Sequence, residues 1–147
     1  MPHEPKDPDF ENRVRTNFDT QNVMSLIGAR LSSVEPGVVE IEINAREDLT
    51  QQNGFIHAGI VTTILDSACG YAAYTLMPAA SGVLSVEFKV NLLAPAKGSR
   101  IIARAEVKRA GRTLTVCSAD AFAVDGENET LCATMLATMI CIEPKGS

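Results

Sequence analysis

The sequence predicts an α+β domain in which a curved antiparallel sheet of about six strands wraps one long central helix. Three observations predict it. Residues 57–77 form a proline-free, alanine-rich stretch in which Ile60, Ile64, Ala68, Ala72 and Leu76 recur every four residues, with Val61 and Leu65 alongside; that is the apolar stripe of a helix. Leu84, Val86, Phe88, Val90 and Leu92 then alternate with Ser85, Glu87, Lys89 and Asn91, the period of a half-buried strand. Three further extended runs, 101–109, 113–124 and 130–142, are separated by Ala110-Gly111-Arg112 and by Asp125-Gly126-Glu127-Asn128, both suited to hairpin turns. Several long antiparallel strands with a single buried helix define the class.

The other elements follow in order. Residues 1–10 are polar and proline-bearing and are expected as a disordered arm; residues 11–147 form one domain. Over 11–27, Val14, Phe18, Val23, Met24 and Ile27 suit one amphipathic helix ended by Gly28. Two short strands, 31–34 and 38–44, flank Glu35-Pro36-Gly37, where Pro-Gly suits a type II turn. In the second of them Val39, Ile41 and Ile43 face one way and Glu40, Glu42 and Asn44 the other. About twenty residues of central helix span ~30 Å, and Pro78 stops it. The last strand is apolar or small on both faces, with Leu131, Ala133 and Met135 against Cys132, Leu136 and Ile140. It therefore needs cover on both sides, from a central place in the sheet or from a partner subunit. Few charges on the long strands point to an oligomer.

Composition excludes several functions. The 147 residues are 46% hydrophobic and 21% charged, as in a globular chain, and carry 13 basic against 18 acidic groups, a net charge of −5. Nucleic-acid binding, which needs clustered Lys and Arg, is not expected. No segment offers the ~20 apolar residues of a bilayer span, and the first residues lack an apolar signal core, so a cytoplasmic protein is expected. The four cysteines, Cys69, Cys117, Cys132 and Cys141, are expected as free thiols. Two histidines without a Cys or His cluster leave no zinc site, and the absence of a glycine-rich phosphate loop removes support for ATP or NAD chemistry. Neither metal nor redox cofactor is expected.

Across residues 55–86 the only formally charged side chain is Asp66. Dehydrating a carboxylate costs several kcal/mol, so one placed in such a stretch is paired or employed. Its neighbours at helical spacing, Thr62, Thr63, Cys69 and Gly70, are small and leave room for a ligand or another chain. The helix begins after Gln51-Gln52-Asn53-Gly54-Phe55-Ile56-His57-Ala58-Gly59. Free N–H groups at that start favour developing negative charge, and small residues at 58 and 59 let a carbonyl oxygen approach them. A carboxylate about two turns beyond an oxyanion site suits acyl transfer or hydrolysis. No nucleophile elbow accompanies Ser67.

The string Asn53-Gly54-Phe55-Ile56-His57-Ala58-Gly59, with Asp66 nine residues after His57, resembles the hot-dog-fold thioesterases of the phenylacetyl-CoA and 4-hydroxybenzoyl-CoA thioesterase branch. Glu35-Pro36-Gly37, the 84–95 strand with its Ala94-Pro95-Ala96-Lys97-Gly98 exit, and Gly111-Arg112-Thr113-Leu114 extend the similarity over residues 24–142. The resemblance implies a helix wrapped by a sheet, a homodimer or homotetramer with active sites between subunits, and hydrolysis of an acyl-CoA to free acid and coenzyme A, which enters as part of the substrate. In that reading Asp66 is nucleophile or general base. The Ala58 N–H binds the thioester oxygen, Gln51 or Asn53 places the carbonyl or water, and His57 orients the loop or donates a hydrogen bond. Ser85 falls where some relatives hold the lytic water from the opposing subunit, and Lys97, Arg109 and Arg112 are candidates for the coenzyme A phosphates. One departure is Ala58, where the family usually has glycine; a backbone donor survives it if φ stays negative. Two other readings stand beside hydrolysis: a hot-dog hydratase or dehydratase with His57 as base, and a non-catalytic acyl-CoA-binding domain.

Overall fold

The apolar stripe becomes the axis of the molecule. A computed structural model describes residues 3–144. It contains α1 (Phe10–Thr20), α2 (Asn22–Ile27), β1 (Arg30–Glu35), β2 (Val38–Asn44), a 3-10 turn (Glu47–Leu49), α3 (Ala58–Tyr74), β3 (Gly82–Leu92), β4 (Arg100–Ala110), β5 (Leu114–Asp125) and β6 (Asn128–Ile142). The six strands form one antiparallel sheet in the order β1-β2-β4-β5-β6-β3, and α3 lies along its concave face. The expected hot-dog arrangement is borne out. Gly37 has φ +76°, the left-handed geometry that the second central position of a type II turn requires.

The inner face of the sheet is a floor of alanines. Ala103, Ala105, Ala119, Ala121, Ala133 and Ala137 are all buried, and they meet the equally small Ala68 and Ala72 of α3, also buried. Side chains this short bring the helix close to the sheet, while Ile41, Ile43, Ile64, Leu65 and Met135 fill the flanks. The interior is close-packed, so added volume has nowhere to go.

Two expectations are corrected. The helix foreseen over 11–27 breaks at Gln21, whose backbone is extended (φ −81°, ψ 104°); the run Thr20-Gln21-Asn22 interrupts the apolar face there. Residues 3–9 are not a loose arm: Asp7 accepts from Arg13 Nε at 2.8 Å, and His3 Nε2 lies 3.3 Å from the Val107 carbonyl. Arg13 also ties α1 to the end of α3, since one of its nitrogens donates to the carbonyls of Tyr74 (3.1 Å) and Met77 (3.0 Å). A cation at helix-terminal carbonyls complements the dipole. Thr75, fully buried, completes that end, donating to the Ala72 carbonyl and accepting from the Gly37 N–H, each at 2.7 Å.

A third correction concerns β3. The alternation places Leu84, Val86, Phe88, Val90 and Leu92 on one face, but a bulge lies between Ser85 and Glu87. An extra residue exchanges the faces on its two sides. Ser85 pairs with buried Met139, while Phe88, Val90 and Leu92 pair with buried Ala137, Met135 and Ala133. Ser85 therefore shares the helix-facing side with Phe88, Val90 and Leu92, and Leu84 points outward.

Two outcomes follow for stability. Ala121→Leu, which overfills the floor, lowers the unfolding free energy by about 1–3 kcal/mol, measured by urea titration. On the outer face Glu42 bridges Arg30 (2.8 Å) and Arg100 (3.0 Å). Burial works to raise its pKa, but the two guanidiniums outweigh this and hold it below 4.5. Its stabilisation is complete above that value and is lost as pH falls through the depressed one; Glu42→Gln should flatten the acid limb of a Tm-against-pH curve and leave its shape above pH 6 unchanged.

Candidate active site

The approach to α3 is a tight polar loop. Gln51 Oε1 accepts from the N–H groups of Asn53 (2.6 Å) and Phe55 (3.3 Å), and Ile56 donates to the Ala96 carbonyl at 3.0 Å. His57 is the N-cap: its Nδ1 accepts from the Gly59 N–H at 2.8 Å, which satisfies one orphan donor. An acceptor at Nδ1 is unprotonated, so the neutral ring carries its hydrogen on Nε2 and presents a donor. A Cβ on Gly59 would stand 3.0 Å from Nδ1, which accounts for glycine there. Ile60 and Val61 donate to the His57 carbonyl. That leaves the Ala58 N–H as the first-turn donor with no acceptor among the described residues. Position 58 tolerates alanine because it is helical; no non-glycine residue described has positive φ.

The Ala58 start opens into a cavity of about 560 Å³ that Gln51, His57, Ala58, Leu92, Ala96 and Cys132 help to line. Gln51, whose side-chain nitrogen is uncommitted, reaches it; Asn53 is exposed and does not line it. Cys132 is no rival nucleophile, because burial raises its thiol pKa and a neutral thiol is unreactive. Burial also pushes up the Cys69 and Cys117 thiols, that of Cys117 to about 12.

Asp66 lies elsewhere, half-buried in a second cavity of about 230 Å³. Ser85 Oγ donates to its Oδ1 at 2.6 Å, a contact created by the bulge in β3. This bond orients the carboxylate, and Oδ2 has no hydrogen-bond partner among the described residues. Eight residues of α3 separate Ala58 from Asp66, about 12 Å along the axis; one chain does not bring donor and carboxylate to a common atom. Exposed Lys97 follows Ala96, which lines the first cavity, whereas Arg112 lines a hollow with Leu76, Met77 and Pro78 at the far end of the helix, near Arg109 on the same hairpin. Among the described residues no three His, Cys, Asp or Glu side chains form a metal-binding group, and no helix is long and apolar enough to cross a membrane.

Sequence reasoning missed the residues behind Asp66. Asn17, Gln21, Ser67 and Tyr71 line the same cavity. Their only trace in the sequence is the polar interruption at Thr20-Gln21-Asn22.

A sequence profile of the thioesterase superfamily matches residues 53–130, over half of the chain. The chain belongs to this superfamily, and its class of chemistry is thioester hydrolysis. A crystal structure of a thioesterase family protein from Silicibacter pomeroyi is 50% identical, with a TM-score of 0.90 over 92% of this chain and 99% of the other. Acyl-coenzyme A thioesterase 13 of Homo sapiens is 34% identical over 91 residues, 61% of this chain and 64% of that protein. The E. coli PaaI protein from the phenylacetic acid degradation operon shares the fold, with a TM-score of 0.81 at 14% identity over 91% of this chain and 94% of that one.

His57→Ala, which removes the cap, should cost about 1 kcal/mol of stability in chemical denaturation, and His57→Asn, a good cap, should recover most of it.

Proposed function

We propose that the protein hydrolyses an acyl-CoA to free acid and coenzyme A, without metal or redox cofactor, at sites completed by two copies of the chain. The observation that carries this reading is the unsatisfied Ala58 N–H at the head of a helix whose only carboxylate lies about 12 Å away. Reaction needs an attacking oxygen within about 3–3.5 Å of the carbonyl carbon, so Asp66 of one copy must serve the Ala58 of another. The edge strand β3 supports such pairing. It leaves one side without a hydrogen-bonded neighbour, and its helix-facing Phe88 (43%) and Leu92 (58%) stay exposed in the single chain. Exposed strand edges with apolar side chains recruit partners. Outward-facing Leu84, Leu114, Leu136 and Ile142, also exposed, suit further association of dimers into a tetramer.

In this scheme the thioester oxygen accepts from the Ala58 N–H, and the helix dipole favours the charge that develops on it. Oδ2 of Asp66 takes a proton from the attacking water, or attacks the carbonyl carbon to form a mixed anhydride that water then hydrolyses. In either case the C–S bond breaks and coenzyme A leaves as the thiolate, which takes up a proton, while Ser85 holds Oδ1. The amide nitrogen of Gln51 helps place the carbonyl or the water. Lys97, next to Ala96, with Arg109 and Arg112 from a neighbouring copy, meets the coenzyme A phosphates. His57 is occupied at Nδ1 by the helix cap, which weighs against a hydratase that would use it as base.

The test is thiol release from an acyl-CoA panel. Asp66→Asn keeps the Ser85 contact and should lower kcat by about 10²–10⁴-fold; an unchanged rate removes Asp66 from the reaction. Ala58→Pro deletes the donor at a position where proline suits a helix, and His57, at ψ 136°, already has the backbone that precedes proline. It should cost about 10²–10³-fold. Co-expression of the two inactive chains should restore about a quarter of wild-type turnover through random pairing in two-fold dimers, and no restoration would refute a site shared between copies.

A further inference from the structure

The strongest unassigned feature is the polar end of the Asp66 cavity, built where α1 breaks into α2. Gln21 Oε1 accepts from Ser67 Oγ (3.0 Å), Gln21 Nε2 donates to the Tyr71 hydroxyl (2.8 Å), and that hydroxyl donates to Asn17 Oδ1 (3.0 Å). Two sets of donors are left over. The second N–H of Gln21 and the amide nitrogen of Asn17 have no acceptor among the described residues, and both side chains line the cavity that holds Asp66. Gln21 lies outside the residues matched by the superfamily profile, 53–130.

We infer that Gln21, assisted by Asn17, is a specificity-determining residue that reads an oxygen acceptor at the far end of a compact acyl group whose thioester carbon lies at Asp66. The assignment rests on the acyl-CoA hydrolysis proposed above and narrows its substrate. Ser67 and Tyr71 stand one and five residues beyond Asp66, about 1.5 and about 7.5 Å along the axis, a span that about four bonds at ~1.2 Å each and a final hydrogen bond of about 2.9 Å cover together. The cavity of about 230 Å³ has room for such a group. A site built to hydrogen-bond a substrate oxygen discriminates against an analogue that lacks it, because a polar group is then left unpaired.

The test compares 5-oxohexanoyl-CoA with 5-methylhexanoyl-CoA, a pair in which a ketone oxygen is exchanged for a methyl group at the same carbon. Both substrates are measured on one preparation, so the ratio of their kcat/KM values is independent of the folded fraction. Wild type should favour the ketone by about tenfold or more. Gln21→Leu should bring the ratio close to one. Gln21→Glu, which can still accept from Ser67 but can accept from Tyr71 only if that hydroxyl turns away from Asn17, offers a carboxylate in place of the donor and should push it below one. Thiol release with the same ratio in wild type and both variants overturns the role of Gln21 and leaves the hydrolase reading intact. No thiol release by wild type from either substrate or from butanoyl-CoA overturns both.

Discussion

A helix is a rigid ruler, and the distance it sets between Ala58 and Asp66 governs the rest of this molecule. The rise per residue holds the free N–H and the carboxylate about 12 Å apart, and no side-chain rotation closes that gap. The fold keeps this ruler straight and anchored. His57 and Gly59 define its beginning, while Arg13 and Thr75 tie down its end. The sheet presses along its length. In the proposed reaction the two groups therefore sit at two fixed stations on one rod, and a second copy of the chain completes the site.

Around the second station, three elements distant in sequence converge. Ser85 comes from an edge strand, Gln21 from a break between two short helices, and Ser67 and Tyr71 from α3 itself. The carboxylate is half-buried, with one oxygen engaged by a hydroxyl and the other open. That combination orients the carboxylate through a hydroxyl, with no cation paired to it among the described residues. The buried thiols nearby contribute only volume, since burial keeps them protonated.

Much of the fold was legible in the sequence because periodicity reports burial directly. The central helix, the β1–β2 hairpin and the long strands of the second half lie within a few residues of where alternation and turn residues put them. The solitary charge of Asp66 and the small residues after His57 marked the two ends of the candidate site. What was not legible depended on single-residue events. In β3, five apolar residues at perfect alternation read as one face, and nothing local announces that Val86 is surplus to the ladder. The break at Gln21 leaves only the polar run Thr20-Gln21-Asn22 as a trace, because a helix of this composition is continued or interrupted by tertiary contacts; here the bonds to Ser67 and Tyr71 favour the interruption. Asn53 and Gln51 looked equivalent by spacing, and only the turn of the chain directs Gln51 to the cavity and leaves Asn53 exposed.

The alanine floor has a consequence for how such a protein can diversify. Its middle has almost no methylenes to give up, so substitution there acts mainly by adding bulk and lifting the helix. That region is a bottleneck for mutational drift. The margins are freer: the α1–α2 junction and the outer strand can change length or polarity without disturbing the helix–sheet spacing. New substrate preferences in descendants of this chain should thus arise from its periphery, while the interior is inherited nearly intact.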